Sequence, residues 1–194
     1  MTDRPYHHGN LRAELLQRAR DAVELEGAAS LSLRGIARAA GVSHGASARH
    51  FADKSALLDA LAVDGFLSLD EAVAAAAAAP GSYEERMRAI ATAYVTFAVE
   101  HPGLLAVMYS AKHAADATAG LVEASHAGKA ALVAFIAEAQ DAGAIRDADA
   151  DEIALIAFAA AHGVATLATA DLLDMPTDAA LDLVVTFLWQ GVAA

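Results

Sequence analysis

Cysteine is absent from this chain, tryptophan occurs once and proline four times in 194 residues. Without cysteine there is no disulfide, no thiolate metal site and no cysteine nucleophile. Strand-favouring residues are sparse and scattered, whereas alanine, the strongest helix former, raises the apolar content to 57%. The expectation is an all-α protein. The opening residues, MTDRPYHHGN, lack the apolar run of a secretion signal, which makes the cytoplasm the expected compartment. A basic excess is missing too, and the net charge of −12 argues at first sight against a nucleic-acid partner.

The charge is unevenly spread. Residues 1–60 hold 8 Lys+Arg and 7 Asp+Glu, whereas residues 61–194 hold 5 and 18, so nearly all the negative charge lies outside the first sixty residues. Such asymmetry points to a binding module attached to an acidic body. The most apolar window, Ala154 to Ala170, is rich in alanine, contains His162, Gly163 and two threonines, is bracketed by acids and lacks flanking Lys or Arg. A buried helix accounts for it better than a membrane span, which needs about 20 residues. Catalytic signals are equally thin. His101, His113, His126 and His162 form no i,i+4 pair, and no HExxH, GxSxG or phosphate-loop motif occurs. No catalytic residue, metal or cofactor is therefore assigned.

In chain order, Asn10 can cap a first helix that runs to about Glu26, with Leu11, Leu15, Ala19, Ala22 and Val23 on one stripe and Gly27 ending it. Residues 1–9 are polar, a frayed terminus or an arm. Arg12, Arg18 and Arg20 lie off the stripe, and Arg18 and Arg20 read as solvated cations with acidic partners. Asp53 can cap a long helix from about Lys54 to Ala79, which Pro80-Gly81 breaks. Ser82 and Glu85 form a capping box for a helix reaching about Glu100. Pro102 suits the first turn of a short helix. Long helices over about 117–142 and 150–173 follow, and Thr177 can cap the last.

The segment Ser32 to Lys54, SLRGIARAAGVSHGASARHFADK, organises the rest. Leu33, Ile36, Ala37 and Ala40 recur at helical spacing, Gly41 stops that helix, and Ser43 can cap the next. His44, Gly45, Ser47, Arg49 and His50 remain as a short small-residue surface. This is a helix-turn-helix, whose second helix enters a DNA major groove. The residues resemble the DNA-binding domain of the tetracycline-repressor (TetR) family of bacterial transcription regulators over roughly 8–62. The likeness rests on Ser32 to Ala37, Ala40-Gly41-Val42-Ser43, and His50-Phe51 with Lys54 and Leu57-Leu58. It departs at Ala48, where the family commonly has a tyrosine that touches a phosphate, and at Ser47, commonly leucine. The resemblance implies a DNA-contacting set of Arg34, Ser43, His44, Gly45, Ser47, Arg49, His50 and Lys54. Arginine can bond guanine bidentately, while lysine mostly neutralises phosphate.

Farther on, Phe158 to Gly163 reads FAAAHG, similar to family members whose C-terminal domain carries a Trp and then His-Gly on the penultimate helix, with Phe158 at the Trp position. The domains expected are residues 1–53 for DNA and 54–194 for ligand and dimerisation. An effector cavity is expected among Tyr94, Phe97, Met108, Tyr109, Phe135, Phe158 and His162, taking a small apolar molecule. A homodimer is expected through two faces. One is the alanine-rich face of Ile153, Ala157, Ala160, Ala161, Val164 and Ala165; the other is the stripe of Leu181, Val184, Val185 and Leu188. The resulting expectation is a regulator that binds double-stranded operator DNA, a repressor released by its effector, with no membrane partner. The rival classes are a helical adaptor that kept the fold but lost DNA binding, motivated by Ser47 and Ala48, and a helical enzyme.

Overall fold

The computed structural model describes residues 11–194, so the Asn10 cap and the arm over residues 1–9 lie outside the described residues. Nine helices are described: α1 (Leu11–Ser30), α2 (Leu33–Ala39), α3 (His44–Ala48), α4 (Lys54–Ala77), α5 (Tyr83–Glu100), α6 (Pro102–Ala111), α7 (Ala119–Asp141), α8 (Ala150–Thr169) and α9 (Thr177–Val192). The only extended pairing among the described residues is an isolated bridge between Ile145 and Ala193, and the fold is all-α as expected. The helices form two compact units. The first holds the described chain up to Gly65 together with Gly103–Leu121; the second holds Phe66–Pro102 and Val122–Ala194.

In the first unit, short helices are fixed by local bonds. Ser32 caps α2 by accepting the Gly35 amide at 3.1 Å, and Ser43 caps α3 by accepting that of Ala46 at 3.2 Å. Gly41 lies at φ +70°, a left-handed conformation that only glycine adopts without strain, and the Val42 amide then returns to the Ala37 carbonyl at 2.9 Å. Gly27 at φ +77° breaks α1 where the sequence placed its end, with one further turn running to Ser30. The core brings together Leu15, Ala19 and Val23 of α1, Ile36 and Ala37 of α2, Phe51, and Leu57 and Leu61 of α4. Each fully buried leucine contributes about 1.5–3 kcal/mol.

Helix α6 belongs to this unit. Its free N-terminal amides at Gly103 and Leu104 donate to the two carboxylate oxygens of Glu24 on α1, at 2.8 and 2.9 Å. A Cβ at position 103 would stand 2.5 Å from the Val23 carbonyl oxygen, so only glycine permits the approach. Gly65 of α4 gives similar room to Leu104 and Met108. Asp53 caps α4 through the Ala56 amide at 2.8 Å, as expected.

In the second unit, α5, α8 and α9 pack together, and a core of Ile90, Phe135, Ile136, Ala139, Ile145, Ile153 and Ala154 joins them to α7. The capping box at α5 is complete: Ser82 Oγ accepts the Glu85 amide at 3.2 Å and Glu85 accepts the Ser82 amide at 2.8 Å. Asp149 caps α8 through the Asp151 and Glu152 amides. At α9 the expectation fails. Thr177 is the first helical residue, and Pro176 occupies the cap position with no side-chain bond. Helix α8 reaches 20 residues, so length does not exclude a span; its first turn carries Asp151 and Glu152, and Asp151 pairs with Lys129 of α7 at 2.7 Å.

Candidate functional site

The surface of the first unit is built by the two serine caps. They hold α2 and α3 at the Gly41 corner, so that Ser43, His44, Gly45, Ala48, Arg49 and His50 are exposed along and just beyond α3, with Arg34 exposed on α2. Ser47 does not join them. It is fully buried, its hydroxyl donating to the His44 carbonyl at 2.9 Å, because one turn into a five-residue helix its position faces α1 and α2. Lys54 is half-buried, and its ammonium donates to the Ala29 carbonyl at 2.9 Å, tying α4 to the end of α1.

Cations in this unit fall into two groups. Arg18 bonds Glu14 at 2.8 Å and Arg20 bonds Asp64 at 2.7 Å, as the sequence suggested. Arg12, Arg34, Arg38 and Arg49 have no carboxylate partner among the described residues. A surface with unpaired arginines and exposed imidazoles, carried on a capped helix-turn-helix, can neutralise phosphates and offer donors to base edges.

The seven residues expected to line one cavity are divided between the two units. Tyr94, Phe158 and His162 do meet. The Tyr94 hydroxyl and His162 Nδ1 share a hydrogen bond of 2.7 Å, and the Phe158 ring stacks on the imidazole with centroids 5.5 Å apart. Phe97 packs edge-on against His101, and Phe135 lies in the core against Tyr83. Met108 and Tyr109 belong to the first unit.

A cavity of about 140 Å³ opens among α5, α8, α9 and the loop before α8. Met87, Ala91, Ile153, Ile156, Ala157, Leu181, Leu188 and Trp189 give it an apolar wall, with Arg146, Asp149 and Glu152 as its charged lining residues. The signal that could have found it is the row of alanines, Ala91, Ala157 and Ala161, facing each other where larger side chains would close the space. Among the described residues no group of three His, Asp or Glu side chains could hold a metal ion.

The residues expected at a dimer face are mostly covered within the chain itself. Ile153, Ala161, Val164, Ala165, Leu181 and Val185 are buried within the second unit, Ala157, Val184 and Leu188 line the cavity, and Ala160 is half-buried. Both helices are apolar on more than one side, and the side chosen from the sequence is the one turned inward. The outward side carries Leu155, Ile156 and Leu167 on α8 and Leu183 and Phe187 on α9, the last two 62% and 79% exposed.

Comparison with known proteins fits this arrangement. Residues 15–61 match the family profile described as bacterial regulatory proteins, tetR family, and residues 87–188 match the tetracyclin repressor-like C-terminal domain. A solved protein of unknown function from Rhodococcus sp. RHA1 is 48% identical, covers 99% of this chain and 100% of its own, and superposes with a TM-score of 0.92. A TetR family transcription regulator from Marinobacter aquaeolei VT8 shares the fold at 19% identity, with a TM-score of 0.75 over 94% of this chain and 95% of its own. A ketosteroid transcriptional regulator of Mycobacterium tuberculosis does so at 17% identity and 0.68, over 97% of each chain. No curated protein matches. With both of its halves matched by that family's profiles, the C-terminal one alone spanning more than half of its length, the chain belongs to the tetracycline-repressor family of DNA-binding transcriptional regulators.

Proposed function

We propose that this regulator is a repressor that binds a two-fold operator as a homodimer and leaves it when a small, largely apolar effector enters the second unit. The observation that carries the reading is the exposed set of Ser43, His44, Gly45, Arg49 and His50, flanked by the unpaired Arg34, on a capped helix-turn-helix. Arg34 and Arg49 are the base and phosphate donors, His44 reads a base edge, and His50 touches the backbone. Lys54 bonds Ala29 and acts on DNA only if that bond is exchanged. The reading residues fall within 1–53; effector binding and pairing fall within 54–194.

A dimer follows from the brevity of α3, since one five-residue helix makes few base contacts. Two-fold pairing sets half-sites about one turn, roughly 34–36 Å, apart. The pairing face is the outward side of α8 and α9 centred on Leu183 and Phe187, because apolar side chains exposed at this level mark association sites. The effector site is the cavity among α5, α8 and α9, and its occupant must prefer one of two states of the protein, since equal affinity for both would shift nothing. Working on bacterial DNA, the protein acts in the cytoplasm.

The test is a gel-shift with the chain's own upstream region, repeated with compounds that raise its melting temperature. A sequence-specific shift that hits reverse supports the reading. A dimer that shifts no duplex from that region would favour the adaptor class, and hits that stabilise the protein without releasing DNA would remove the induction step.

A further inference from the structure

We propose that Arg12 is a phosphate anchor, held ready by the ring of Phe51 at the C-terminal end of the reading helix. The inference rests on the DNA-binding reading and adds a contact that neither the sequence pattern nor the reading helix supplies. The Arg12 guanidinium lies over the Phe51 ring, 5.4 Å from its centroid. Phe51 is 2% exposed, and its amide donates to the Ser47 carbonyl at 3.1 Å, so the ring is fixed directly after α3. It is also the next residue after the exposed Arg49 and His50. The cation is thereby placed beside the reading surface by a buried side chain.

The other arginines of α1 sharpen the point. Arg18 and Arg20 lie on the same helix and are bonded to Glu14 and Asp64, whereas Arg12 is exposed and has no carboxylate partner among the described residues. Stacking engages the flat face of a guanidinium and leaves its edge, with five N–H donors in a fork, open to a phosphate. Immobilisation over the ring lowers the ordering cost of making that contact. The reading helix lacks an anchor of this kind, because Ala48 is exposed but offers only a methyl group. Arg12 fills the deficit from a neighbouring helix, and as a backbone contact it adds affinity without sequence preference.

Binding isotherms over a range of salt concentrations, on the upstream region and on an unrelated duplex, decide the matter for the full-length dimer. Arg12→Ala should weaken binding to both duplexes about equally and reduce the slope of log K against log salt by about 0.9, the loss of one neutralised phosphate. Arg12→Lys should keep the slope while losing part of the affinity, since an ammonium neutralises but does not stack in plane. Arg18→Ala, which removes a paired arginine from the same helix, should match wild type. A wild-type slope in Arg12→Ala overturns the anchor, and so does an affinity loss that tracks a lowered melting temperature instead of the slope. Wild-type protein that binds neither duplex overturns the DNA-binding reading itself, an outcome separate from failure of the Arg12 assignment.

Discussion

The helix-turn-helix and the second unit differ in how their cations are partnered. Around the helix-turn-helix, Arg12, Arg34, Arg38 and Arg49 have no carboxylate partner among the described residues, whereas in the acidic second unit Arg86 bonds Glu138, Arg88 bonds Asp182 and Lys129 bonds Asp151. A chain with net charge −12 can therefore still present a cationic surface, because what meets DNA is local and unpaired charge, not the total. On α8 and α9 of the second unit Leu155, Leu183 and Phe187 stand in solvent, while Leu33, Ile36 and Phe51 of the helix-turn-helix are buried. One unit exposes unpaired charge; the other exposes hydrocarbon on α8 and α9, the face proposed for pairing.

The strongest test of that contrast is to charge the outward hydrocarbon. Leu183→Glu with Phe187→Glu should convert the dimer to a folded monomer in sedimentation and abolish operator shifts, whereas Val185→Glu, at a buried site, should unfold the second unit, seen as lost helical circular dichroism. A double variant that remains dimeric would move the interface elsewhere. Next comes the unpaired charge. Arg34→Ala and Arg49→Ala should each cost about 1–3 kcal/mol of operator affinity where a base contact is lost. Arg88→Ala, which removes a paired cation from the second unit, should leave that affinity unchanged. Equal losses from all three would erase the distinction between paired and unpaired cations.

A smaller effect is expected from the approach of α6 to α1. Gly103→Ala places a methyl 2.5 Å from the Val23 carbonyl and should lower stability by about 1–3 kcal/mol, measured by urea titration. The smallest concerns acid. The Ser82 backbone amide and then its hydroxyl hold the Glu85 carboxyl below the usual glutamate range. Its contribution is thus present above the ordinary value of about 4.3 and disappears as pH falls through the lowered native value. Thermal melts of wild type and Glu85→Gln between about pH 6 and pH 3 should converge at the acid end. A gap that stays constant with pH would show that the carboxylate does not act as a cap.

Much of the first unit was legible because its signals are local. Ser43 and Asp53 each bond an amide three residues on, and Gly41 turns the chain at one residue, so spacing alone reveals them, whereas the like cap at Ser32 went unread. Ser82 and Glu85 belong to the same class. Thr177 failed because Pro176, whose ring presets the backbone, took the cap position first. Ser47 failed because in so short a helix no periodicity distinguishes an inward from an outward small residue. On α8, Ile153 and Ala154 face in while Leu155 and Ile156 face out, and four consecutive apolar residues carry no mark of which is which. The cavity left the faintest trace, since it exists where alanines fail to fill space, and a missing side chain has no motif.

The bond between Glu24 and the first amides of α6 bears on how portable the reading head is. A fragment ending at Gly65 would carry the Glu24 carboxylate without its two donors, and would leave the groove at Gly65 without Leu104 and Met108. Such a fragment would lack part of its own interior, and a chimera that grafts this head onto a foreign sensor must transplant residues 103–121 with it. The architecture therefore binds two segments, 79 residues apart at Glu24 and Gly103, into one folded piece.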